Sequence, residues 1–152
     1  MEAISEARSD IGERGRPPYD DTYGMSPVNY VKLDRLPTVD DMSPIINAMK
    51  RGDFFITSGE VLIPSYTLEG TGNQRTVTAD VEWTFPLDFV EVVWGDGQTT
   101  DRTIISTTDL PAFGKKRFRI PFDAAGKKWV RFAAWDIATN GALVQPVKLR
   151  TP

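Results

Sequence analysis

After Gly52 apolar and polar residues alternate with a period of two. In residues 76–84, Val77, Ala79, Val81 and Trp83 alternate with Thr78, Asp80, Glu82 and Thr84, the pattern of a strand with one face in a core and the other in water. Phe118, Ile120 and Phe122 alternate with Arg117, Arg119 and Pro121, and Val90, Val92 and Trp94 oppose Phe89, Glu91 and Val93. Further segments near 53–57, 60–69, 101–106, 127–136 and 142–149 bring the total to about eight strands. Turn signals separate them at Gly70-Thr71-Gly72-Asn73, Gly95-Asp96-Gly97, Asp123-Ala124-Ala125-Gly126 and Asn140-Gly141. Short strands at this spacing, with no helical pattern between them, predict an all-β fold: an immunoglobulin-like antiparallel β-sandwich.

Before Gly52 the period changes. Ser43 followed by Pro44 reads as an N-cap and a proline at the first helical position. Ile45, Ala48 and Met49 then fall on one apolar stripe, Lys50 and Arg51 suit the negative end of the dipole, and Gly52 closes the helix. Tyr30, Val31 and Leu33 predict a brief strand ahead of it. Residues 1–28 carry charge of both signs and are broken by Gly12, Gly15, Pro17, Pro18, Gly24 and Pro27. They bury too little apolar surface to offset their ordering entropy, so a mobile N-terminal arm is expected. The expected organisation is the arm at 1–28, a linker with a short helix at 29–52 that ends an upstream domain, and the sandwich at 53–152.

Composition narrows the chemistry. The 152 residues suffice for one ordinary domain, and no apolar run approaches the roughly 20 residues of a spanning helix, so no membrane partner is expected. A net charge of −3 provides no global field for phosphate backbones, which argues against nucleic acid. With no cysteine there are no disulfides, thiolate nucleophiles or zinc–thiolate sites, and with no histidine the usual general base and transition-metal ligand are missing. No catalytic residue, cofactor or metal site is therefore assigned.

The stretch 127–146 concentrates the remaining candidates. Alternation puts Val130, Phe132 and Ala134 on one face of a strand and Trp129, Arg131, Ala133 and Trp135 on the other, with Asn140-Gly141 turning the chain and Pro146 limiting the last strand to an edge or its end. Trp94, Arg131 and Trp135 form a candidate ligand-binding set, weighed against plain packing of aromatics in sandwich strands. Arg131, between two indoles at i±2, is placed to stack on them while Glu91 or Asp136 balances its charge. Asp96 with Asp101 allows a calcium loop but lacks its ligand rhythm, which leaves a hairpin turn. Arg117 and Arg119 are expected to pair across strands with Asp80, Glu82 or Glu91. Ser58 has no base partner.

Four segments carry a resemblance to a known family: residues 29–37 (NYVKLDRLP), 48–63 (AMKRGDFFITSGEVLI), 90–97 (VEVVWGDG) and 128–147 (KWVRFAAWDIATNGALVQPV). Together they resemble the C-terminal region of the carbaryl-hydrolase-like branch of the polymerase-and-histidinol-phosphatase (PHP) superfamily. There a metal-binding α/β barrel is followed by a β-sandwich, and a helix ending in an Arg-Gly pair precedes the first strand, as Ile45–Gly52 does here. Because this chain has no histidine, no catalytic residue of that family carries over. The resemblance implies a non-catalytic accessory domain partnered by an upstream catalytic domain. The alternative is a module that binds carbohydrate or peptide through exposed tryptophan and arginine. Tryptophan exposure discriminates: a coplanar pair open to water favours the module, and buried rings favour the structural role.

Overall fold

A computed structural model describes residues 27–149. The expected mobile arm therefore lies almost wholly outside the described residues. Ten strands and one helix are present among them: β1 (Val28–Val31), α1 (Ser43–Arg51), β2 (Phe54–Thr57), β3 (Val61–Thr71), β4 (Gln74–Trp83), β5 (Leu87–Gly95), β6 (Thr100–Ser106), β7 (Gly114–Asp123), β8 (Trp129–Asp136), β9 (Gly141–Val144) and β10 (Val147–Lys148). The large sheet has the order β1-β2-β9-β8-β5-β6, with β10 also on β8, and the small sheet is β3-β4-β7. All pairings are antiparallel, so the chain is an all-β sandwich.

The period-two pattern explains which faces meet. Val61, Val77, Val81, Ile120 and Phe122 from the small sheet pack against Val90, Val92, Val130, Phe132 and Val144 from the large one. Phe132 is fully buried between them and lies 6.3 Å from the Phe118 ring and 6.5 Å from Tyr66. On the solvent side of the small sheet Arg117 holds Asp80 through two bonds of 2.7 and 2.8 Å, and Arg119 holds Glu69 at 2.9 Å.

Three local expectations are corrected. Pro146 does more than confine the final strand: it divides residues 141–148 into β9, paired with the end of β8, and β10, paired with its start, because proline has no N–H for the ladder. The hairpin before β9 turns through 137–140, not at Asn140-Gly141. One oxygen of Asp136 accepts the N–H groups of Ala138 and Asn140 at 2.9 and 2.8 Å, and the positive φ of 66° falls on Thr139. At α1, Met42 is the N-cap and makes no side-chain cap bond. Asp41 supplies the acceptor for the Ser43 N–H, at 3.0 Å. The helix closes as expected at Gly52, φ 78°: its N–H donates to the Met49 carbonyl at 3.1 Å and the Asp53 N–H to that of Ala48 at 3.0 Å.

The helix is an excursion between neighbouring strands, since β1 pairs with β2 across it. Ala48 is buried, whereas Met42, Ile46 and Met49 share a second stripe that faces water.

Candidate functional site

Strands β5 and β8 lie side by side, with Val93 opposite Arg131 and Phe89 opposite Trp135. Their register decides what the candidate residues do. Trp94 alternates with Val93 and so points into the sandwich with Val90 and Val92, where its ring meets Phe122 at 5.8 Å. Lys127 covers that end of the core, its Nζ 5.2 Å from the Trp94 ring and 5.5 Å from Phe122. Arg131 and Trp135 are on the opposite, outer face of the large sheet. The structure thus brings Arg131 and Trp135 onto one face and leaves Trp94 on the other.

The outer face is organised around Glu91, a residue 3% exposed. One carboxylate oxygen accepts the indole N–H of Trp135 at 3.0 Å, and the other accepts a guanidinium N–H of Arg102 at 3.0 Å. Three adjacent strands are tied by this arrangement. It is possible because the cross-strand neighbour of Glu91 is Ala133, whose methyl leaves room for the large side chains beside it. Both oxygens have a charged or indole donor, so Glu91 ties the outer face together as a shared acceptor. The charge expected to balance Arg131 is engaged by Arg102 instead, and among the described residues Arg131 forms no ion pair.

The tryptophans themselves are seated on glycines. Trp83, Trp129 and Trp135 are the cross-strand partners of Gly114, Gly95 and Gly141. A Cβ on Gly95 would lie 2.6 Å from the Trp129 indole nitrogen, one on Gly141 would lie 2.4 Å from Trp135 Cε3, and one on Gly114 would lie 3.3 Å from Trp83. Each indole lies against backbone that a side chain would otherwise shield. Trp83 is buried and donates its indole N–H to the Pro111 carbonyl at 2.9 Å. The other three are partly buried and none is exposed. Sequence reasoning found the tryptophans but missed their glycines, because which glycine faces which ring is set by a register that no single strand encodes.

The remaining candidates resolve into turns. Asp96 accepts the N–H groups of Gln98 and Thr99, both at 2.7 Å, around Gly97 at φ 94°. Those two amides hold its carboxyl below the usual carboxylate range. Ser58 exchanges hydrogen bonds with the backbone of Gly141, a strand-end clasp. Among the described residues no group of three acidic side chains is placed to hold a metal ion. The chain matches no protein-family model, no curated protein and no solved structure.

Proposed function

We propose that this chain is a non-catalytic accessory β-sandwich that packs on a neighbouring catalytic domain, the role implied by its resemblance to the C-terminal region of PHP-type metal-dependent hydrolase-like proteins. One observation carries the reading. The excursion between β1 and β2 presents large apolar side chains to water: Leu36 is 82% and Val39 97% exposed, and Met42 at the start of α1 and Ile46 and Met49 on it are about half exposed. Exposed apolar surface of this kind marks a contact with another protein surface, and it lies where the resemblance places the junction with the barrel. The residues that would do chemistry are engaged elsewhere, Glu91 by Trp135 and Arg102, and Asp96 by its own turn.

The test is to read and express the coding sequence immediately upstream of residue 1. A histidine-rich α/β domain there, bound by this chain and released by a Val39→Asp, Ile46→Asp double variant, is the expected result. Absence of such a domain, or binding indifferent to that variant, refutes the reading. The carbohydrate- or peptide-binding alternative on Trp94, Arg131 and Trp135 is disfavoured because these residues lie on two faces of one sheet. A saturable change in tryptophan fluorescence with soluble glycans, lost in Trp135→Phe, would restore it.

A further inference from the structure

The two sheets differ in width, and the mismatch leaves a cleft. β3, at the edge of the small sheet, packs chiefly over β9, so β2 and β1 extend beyond it. The space alongside has a volume of about 570 Å³ and is bounded by Tyr30, Phe55 and Val144 of the large sheet and Ile63 to Thr67 of β3. That size is ordinary for a ligand site, roughly 300–1,000 Å³. Its floor is aromatic, with Tyr30 and Phe55 stacked at 5.2 Å and 9° between planes.

One wall of the cleft is an unpaired strand edge. The Thr84 N–H donates to the Glu60 carbonyl, which makes Val61 and Trp83 a non-hydrogen-bonded pair. Counting by two from there, past the extra residue of the bulge between Leu62 and Ser65, turns the backbone N–H and C=O groups of Tyr66 and Leu68 away from β4. Among the described residues β3 pairs with β4 alone, so these groups have no ladder to join; Tyr66 lines the cleft, and Leu68 continues the same free edge just beyond it.

We propose that the cleft binds an extended acidic peptide, which adds to β3 as a fourth strand of the small sheet. Main-chain bonds to Tyr66 and Leu68 supply affinity, and alternate side chains of the peptide fall on the Tyr30–Phe55 floor. Charge selects acidic peptides. Lys32, Arg51 and Lys148 line the cleft against one acid, Asp53, which Arg51 holds at 2.6 Å. Lys32 and Lys148 form no ion pair among the described residues. A second copy of the chain is a poorer occupant: β1 and β2 overhang β3 by two strand widths, roughly 10 Å at about 4.8 Å per strand, which admits an extended segment but not a second sandwich, whose two sheets alone stand about 10 Å apart.

The probe is a blocked synthetic peptide of about seven residues, ~23 Å when extended, alternating valine or phenylalanine with threonine and carrying a glutamate at each end. With the full chain we expect saturable binding by calorimetry and slowed hydrogen exchange at the Tyr66 and Leu68 amides. N-methylation of the peptide amides on one edge should abolish binding, while methylation on the other edge leaves it intact. Lys32→Glu with Lys148→Glu should weaken binding by roughly tenfold at low salt and less at high salt. No binding, equal tolerance of both methylation patterns, unchanged exchange at Tyr66 and Leu68, or a dimer formed through β3 overturns the proposal.

Discussion

Trp135 and Gly141 face each other across β8 and β9 at a separation no side chain on Gly141 could share, since its Cβ would meet Cε3 of the indole at 2.4 Å. The conformation of Gly141 is ordinary; the ring and the Ala134 carbonyl oxygen, 2.6 Å from the same Cβ, together demand glycine. Gly141→Ala should therefore lower stability by about 1–3 kcal/mol through overpacking. The same change in a Trp135→Leu background should cost less, with a remainder set by the Ala134 carbonyl, measured as a double-mutant cycle in urea. Additive effects would show that the carbonyl alone sets the requirement and the ring contributes nothing. Two residues earlier the logic reverses. Thr139 holds φ 66°, a conformation that costs a β-branched residue about 1–2 kcal/mol and glycine almost nothing. After the extra chain entropy of glycine, Thr139→Gly should gain about 0.5–1 kcal/mol; an unchanged or lower urea midpoint would count against strain at that site.

At the scale of elements, α1 depends on a residue outside it. Hydrogen bonds from the Ser43 side chain and Arg35, with the Ser43 N–H, hold the Asp41 carboxyl down at about 2 instead of 3.8. A group depressed in the folded state contributes stability above its unfolded value and loses it as pH falls through the folded one. The start of α1 should therefore fray between about pH 4 and pH 2, and Asp41→Asn should remove that pH dependence. Carboxyl chemical shifts of Asp41 through an acid titration check this, and a midpoint near 3.8 would refute it. The strands were legible because a half-buried sheet imposes period two on side chains whatever its partners are. What sits opposite what was not legible. Val93 meets Arg131, and Gly141 meets Trp135, through a register that no single strand encodes. Hence the faces of Trp94 and Trp135 could each be assigned along their own strands, while Arg102, the partner of Glu91, lay on a third strand and was missed. The turn at 137–140 escaped because Asn-Gly is the stronger local signal, and the Asp136 carboxylate outweighs it by accepting two turn amides.

Over the whole molecule, neither sheet has a core of its own. Trp83 and Val81 of the small sheet and Val92 and Val130 of the large one belong to a single apolar cluster, in which Phe132 is fully buried, with Tyr66 stacked on it and Phe118 tilted against it from the opposite layer. Each sheet alone would expose one apolar face, so the two must be lost together. Phe132→Ala should cost about 3–5 kcal/mol. Although Phe132 belongs to β8, slow amides in β4 and β7 should lose as much protection as those in β5 and β8, because all exchange through the same global opening. Native-state hydrogen exchange on the variant measures this directly. Protection lost in the large sheet but kept in the small one would mean that the layers open independently, and the shared core would not then be what makes the sandwich one cooperative unit.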